Sequence, residues 1–83
     1  MAYRLTFKKS VGRDLKRIDK EQADRLLKKI EEELPGKADT QPSLTGKFRG
    51  LRKYRIGNYR IIYSLIDDTI LVLRIKHRRE AYR

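Results

Sequence analysis

The chain has 83 residues, no cysteine and one histidine, with 22 Lys+Arg against 11 Asp+Glu and a formal net charge of +11. That length supports one domain, 1–83, with one modest core, and the composition excludes disulfides, thiolate zinc sites, thiol nucleophiles and a multi-histidine metal site. No apolar run reaches about 18 residues and no signal-peptide pattern is present, so the sequence reads as cytoplasmic with no membrane partner, while its charge points to a polyanion, nucleic acid first.

Residues 2–8 alternate, with Tyr3, Leu5 and Phe7 on one side and Arg4, Thr6 and Lys8 on the other, which predicts a first strand. Ser10 has the chemistry of an N-cap. Val11, Leu15 and Ile18 then follow at helical spacing, so a short helix is expected to about Ile18, weakened by Gly12. Asp19 is a second candidate N-cap, with Gln22 completing a capping box. Ala23, Leu26, Leu27, Ile30 and Leu34 form the apolar stripe of a longer helix, which Pro35-Gly36 is expected to stop. Residues 35–48 read as a loop, anchored by Leu44 and Phe48.

From Arg49 the period becomes two, predicting strands at about 50–56, 59–66 and 70–77. A first strand, an αα-hairpin and a three-stranded antiparallel meander give an α+β fold, with the helices packed on one face of a small, mainly antiparallel sheet. Gly57-Asn58 has the composition of a two-residue hairpin turn. That turn sets Ile56 against Tyr59, Arg55 against Arg60, Tyr54 against Ile61 and Lys53 against Ile62. Two arginines directly opposed cost roughly 0.2–1 kcal/mol, an arrangement that stability alone does not favour.

For the second hairpin, a two-residue loop at Asp67-Asp68 would set Ile61 against Arg74 and mix the faces. A three-residue connection pairs Leu65 with Leu71, Tyr63 with Leu73 and Ile61 with Ile75, all apolar, and alternation selects it. The face opposite the core then carries Lys53, Arg55, Arg60, Ile62, Ser64, Val72, Arg74 and Lys76, with Arg78 continuing their parity: six basic residues and no acid. The excess charge is segregated there. Residues 10–34 hold seven basic and seven acidic side chains, whereas residues 49–83 hold ten basic and three acidic.

No Ser/His/Asp set, paired carboxylates or Gly-rich phosphate loop stands out, and no cofactor or metal is implied. RNA offers a reaction that asks little of a protein. Its 2′-hydroxyl attacks the adjacent phosphate once its proton is taken, and clustered cations stabilise the charge that develops. Crowding among cations also lowers a lysine's pKa toward the range of a base. DNA lacks the 2′-hydroxyl, so the chemistry would be RNA-specific. His77 shares parity with Ile75 and is expected beside Tyr59 on the helix side. Tyr82 reads either as an aromatic packed on the sheet edge or as a site residue.

Three segments carry a resemblance: Leu44-Thr45-Gly46; Lys53-Tyr54-Arg55-Ile56-Gly57-Asn58-Tyr59-Arg60-Ile61-Ile62-Tyr63; and Ile75-Lys76-His77-Arg78-Arg79-Glu80-Ala81-Tyr82. Together with the opening Met1-Ala2-Tyr3-Arg4-Leu5-Thr6-Phe7 they resemble the RelE/ParE toxin superfamily, the toxins of toxin–antitoxin pairs, over essentially the whole chain. RelE-type members are ribosome-dependent endoribonucleases that cut mRNA in the ribosomal A site. The resemblance implies a metal-independent site of Lys53, Arg55, Arg60, Arg78 and Tyr82, lined by His77, and the basic face adds Arg74 and Lys76, which with His77 are expected to bind RNA. Tyr82 or Lys53 would be the base, Arg55 and Arg60 would hold the phosphate, and Arg78 would act near the leaving group. The implied partners are a cognate antitoxin and mRNA on the ribosome. One lysine of the RelE pattern is Leu51 here. ParE-type members share the fold and target DNA gyrase; that reading and a catalytically inactive RNA- or antitoxin-binding module remain the alternatives.

Overall fold

Two stretches of the chain, 3–43 and 50–79, are described by the structure, a computed structural model. The elements run β1 (Arg4–Phe7), α1 (Lys9–Lys16), α2 (Lys20–Lys37), β2 (Arg52–Ile56), β3 (Tyr59–Ile66) and β4 (Thr69–His77). The strands form one sheet in the order β1-β4-β3-β2. β1 is parallel to β4, and the other pairs are antiparallel. The α+β architecture expected from the sequence is thus present. β1 and β2, at opposite edges of the sheet, therefore run the same way.

The core lies between α2 and one sheet face. Leu26, Ile30, Leu34 and Ala38 meet Tyr54, Ile56, Ile61, Tyr63, Ile70, Val72 and Ile75, and Val11 of α1 joins them. Removing each such aliphatic side chain from water contributes about 1.5–3 kcal/mol.

Polar ties fix α2 on the sheet. The Tyr54 hydroxyl donates to Glu33 Oε1 at 2.8 Å and the Tyr63 hydroxyl to the Ala38 carbonyl at 2.6 Å. Arg52 donates to the carbonyls of Asp39 and Gln41 at 3.0 and 2.9 Å. Burial pushes the Tyr63 hydroxyl up to about 12, with Asp39 adding to the rise and Arg52 opposing it. Tyr54 is also raised, first by burial and then by its bond to Glu33.

The first hairpin has the expected register, Arg55 opposite Arg60 and Tyr54 opposite Ile61. Gly57 takes φ +57° while Asn58 does not turn positive, the pattern of a type II′ turn.

The second hairpin differs from expectation. Its turn is two residues, Asp67-Asp68, with Ile66 opposite Thr69, Leu65 opposite Ile70 and Tyr63 opposite Val72. The register then shifts between Ile62 and Tyr63, so that Ile62 faces Arg74 and Ile61 faces Ile75. Leu73 is the extra residue of this β-bulge. The bulge resolves the conflict that a two-residue turn would otherwise create. Near the turn, Ile70 and Val72 enter the core at 0 % exposure, in place of the expected Leu71 and Leu73. Val72 therefore does not share the basic face. Beyond the bulge the expected register holds.

The helix boundaries also shift. The N-cap of α1 is Lys8 rather than Ser10, without a side-chain capping bond. Ser10 lies inside the helix and donates to the Leu73 carbonyl at 2.6 Å. Asp19 is the N-cap of α2, again without the side-chain bond of a capping box. Pro35 does not stop α2, which continues to Lys37. Proline there removes one backbone bond within the last turn. Leu34 and Ala38, four residues apart and both at 0 % exposure, keep that turn on the core. Leu44, Phe48 and Tyr82 lie outside the described residues. Among the described residues no helix is long and apolar enough to cross a membrane.

Candidate nucleic-acid interface

Strand register alone builds a basic row at the end of the sheet that bears the Gly57-Asn58 turn. Arg55 of β2, Arg60 of β3 and Lys76 of β4 are mutual register partners across three strands. Side chains at paired positions share a face, so this row points away from the helices. Lys53 lies two residues from Arg55 on the same face, and its partner is Ile62. Lys53 and Lys76 are half-buried, Arg55 is exposed, and Arg60 is 8 % exposed.

Arg78 follows the end of β4. Its backbone N–H donates to the Asn58 carbonyl at 2.7 Å, tying the end of β4 to the hairpin turn. The bond brings Arg78 to a cavity of about 210 Å³ whose described lining is Arg55, Gly57, Asn58, Arg60 and Arg78. The lining therefore holds three arginines and no acid among the described residues. Guanidinium forks match phosphate oxygens bidentately.

Of the residues expected at the site, Arg55, Arg60 and Arg78 thus meet around one cavity, with Lys76 in the same row and Lys53 on the same face. Two others go elsewhere. Arg74 gives its Nε and Nη2 protons to Asp14 of α1, at 2.9 and 3.0 Å, so it is engaged by an acid that face-counting had not included. His77 lies on the helix side. Its ring meets Tyr59 edge-on at 5.3 Å, and its Nδ1 accepts the Arg79 N–H at 3.2 Å. His77, Tyr59, Ile75, Asp14, Arg17 and Ile18 line a separate cavity of about 200 Å³.

Asp14 is the residue that sequence reasoning passed over. The signal was present. Val11, Asp14, Leu15 and Ile18 fall on one helical stripe, so an acid occupied an apolar face and needed a buried partner.

The family model for the ParE toxin of the type II toxin–antitoxin system parDE matches residues 5–82. Toxin RelG of Mycobacterium tuberculosis is 30 % identical over 90 aligned positions, covering 100 % of this chain and 99 % of RelG. A chain of the archaeal RelE–RelB complex from Pyrococcus horikoshii OT3 is 32 % identical with a TM-score of 0.65, covering 98 % of this chain and 100 % of that one. A chain of the toxin–antitoxin complex RelBE2 from Mycobacterium tuberculosis shares the fold at a TM-score of 0.84 and 23 % identity, covering 94 % of this chain and 100 % of that one. Continuous coverage by the family model, together with the strand–helix–helix–meander order it spans, establishes that the chain belongs to the ParE toxin family of type II toxin–antitoxin systems, within the RelE/ParE toxin superfamily.

Proposed function

We propose that this toxin is a ribosome-dependent endoribonuclease that cuts mRNA through the RNA's own 2′-hydroxyl. The observation that carries the reading is the cavity lined by Arg55, Arg60 and Arg78 at the end of the sheet. In the reaction, a base takes the 2′-hydroxyl proton and O2′ forms a bond to the adjacent phosphorus. The bond from phosphorus to the 5′-oxygen breaks, and that oxygen is protonated. The products are a 2′,3′-cyclic phosphate and a 5′-hydroxyl. Negative charge grows on the phosphate oxygens as the bond forms, and fixed guanidinium groups stabilise it more than they stabilise the substrate. Arg55 and Arg60, opposed on neighbouring strands, hold those oxygens, and Arg78 serves the leaving oxygen. The mutual repulsion of Arg55 and Arg60 is relieved when the phosphate sits between them. Lys53 or Tyr82 takes the proton. The partners are mRNA in the ribosomal A site and a cognate antitoxin. The complexes with antitoxins among the structural relatives support the second.

Mapping of 5′ ends on translated messages tests the reading. Discrete new ends bearing 5′-hydroxyls are expected, and a 2′-deoxy nucleotide at the cut position abolishes them. The match to a ParE family model favours one competing reading, inhibition of DNA gyrase by protein contact. Double-strand DNA breaks with intact mRNA would establish that reading and end the first.

A further inference from the structure

Two charged side chains are buried among the described residues, Arg60 and Asp14, each 8 % exposed. Arg60 belongs to the proposed phosphate cavity, whereas Asp14 has no part in the chemistry. A buried carboxylate is costly unless its oxygens are satisfied, and an apolar residue at such a place often gives equal stability. What a carboxylate adds is direction.

Asp14 accepts three hydrogen bonds, and all come from β4. Arg74 Nε donates to Oδ2 at 2.9 Å, Arg74 Nη2 to Oδ1 at 3.0 Å, and the Ile75 backbone N–H to Oδ2 at 2.9 Å. One turn earlier on α1, the Ser10 hydroxyl donates to the Leu73 carbonyl at 2.6 Å. These contacts lie where, among the described residues, β4 has no strand neighbour on its outer side. β1 ends at Phe7, which is paired with Val72, and the Lys8 N–H makes a last backbone bond to the Val72 carbonyl at 2.9 Å. Beyond that point Ser10 and Asp14, four residues apart on one face of α1, take the place of a pairing strand.

The same segment contains the Leu73 bulge. Immediately after it come Lys76, opposite Arg60, and Arg78, held on the Asn58 carbonyl. A bulge leaves its extra residue unpaired, disrupts the ladder locally and bends its strand. Here α1 fixes the bulge itself at the Leu73 carbonyl and the strand just beyond it at the Ile75 N–H.

We propose that Asp14, assisted by Ser10, is a positioning residue for the reaction: it holds the β4 segment beyond the bulge so that Lys76 and Arg78 meet Arg60. The proposal rests on the endoribonuclease reading for its catalytic consequence and on the hydrogen bonds alone for its structural one. Asp14→Asn keeps an oxygen for the Ile75 N–H but loses the charged clamp on Arg74. Ser10→Ala removes only the tie to Leu73.

The test combines two readouts on the antitoxin-free toxin, well below each variant's thermal midpoint. One is the single-turnover rate of mRNA cutting on programmed ribosomes. The other is hydrogen exchange at the Arg78 amide, which reports the bond to Asn58. Asp14→Asn is expected to slow cutting by about 10–100-fold, the size of effect that follows from misplacing a catalytic group by about 1 Å. It is also expected to speed Arg78 exchange. Ser10→Ala should shift both in the same direction by less, and it decides the matter should Asp14→Asn fail to fold. A merely structural Asp14 would lower the thermal midpoint and leave both readouts at the wild-type value, and that result overturns the proposal. If the wild type cuts no mRNA, the endoribonuclease reading fails by itself, and Arg78 exchange still decides whether Asp14 positions the strand end.

Discussion

The Tyr63 ring is fully buried and its hydroxyl donates to the Ala38 carbonyl, so ionising it would strand a charge in the core and break a bond at the end of α2. Its folded pKa of about 12 lies above the ordinary tyrosine value of 10.0. For a group raised in this way, the linked stability is fully present below the unfolded pKa and is lost as pH rises through the folded one. Urea unfolding of wild type and Tyr63→Phe across alkaline pH isolates the effect from the titration of lysines. Tyr63→Phe should cost about 1–3 kcal/mol at neutral pH, because the carbonyl loses its partner. The gap should close between pH 10 and about 12; a gap independent of pH would contradict it. Asp67 makes a second residue-scale case. It holds φ +53°, a conformation unfavourable to most side chains and neutral for glycine. Asp67→Gly removes a left-handed penalty of about 1–2 kcal/mol but adds glycine's entropy cost of about 0.5–1 kcal/mol, so the urea midpoint should rise by the equivalent of about 0.5–1 kcal/mol, and a lowered midpoint would show that the Asp67 side chain is needed in the turn.

At the scale of elements, the first hairpin was readable because Gly57-Asn58 sits between alternating strands and admits one register. The second was readable only in its half beyond Leu73. Ile70-Leu71-Val72-Leu73 is a run of four apolar residues with no alternation to choose a face. Two packings of that run are equally apolar, and pattern cannot separate them. The two-residue Asp67-Asp68 turn and the parallel pairing of β1 with Ile70 and Val72 make the choice, and neither is local to the strand. The end of α2 was misjudged for a similar reason. Local chemistry says stop at Pro35, but burial of Leu34 and Ala38 carries the helix one turn further. The site residues followed the strands: the Arg55–Arg60 apposition came from turn length, whereas the capture of Arg74 depended on a helix packed against β4 from 60 residues away. Substitution on the core stripe tests these assignments. Ile61→Asp places a carboxylate at 0 % exposure opposite Ile75 and should leave the chain unfolded by circular dichroism. A folded Ile61→Asp protein would invert the faces of the sheet. Leu34→Ala should fold and lose about 2–5 kcal/mol.

Across the whole molecule, charge and fold divide the labour. The helical segment 10–34 is balanced, and the sheet and its C-terminal continuation carry the excess. A single-stranded nucleic acid bound through the guanidinium cavity should release counterions, with a slope of log affinity against log salt of about −0.7 per phosphate contact. Arg60→Ala should flatten that slope by about 0.7 on a 2′-deoxy oligonucleotide that cannot be cut. An unchanged slope would place Arg60 away from the backbone of the bound strand. The central claim is that Arg55, Arg60 and Arg78 form the scissile-phosphate site, and one measurement reaches it most directly: the single-turnover rate of mRNA cutting on programmed ribosomes by wild type, Arg60→Ala and Arg78→Ala, each shown to be folded and to bind its antitoxin. Each substitution is expected to slow cutting by about 10²–10³-fold, the usual consequence of losing one preorganised charge-stabilising donor. Cutting at the wild-type rate by either folded variant would contradict the claim.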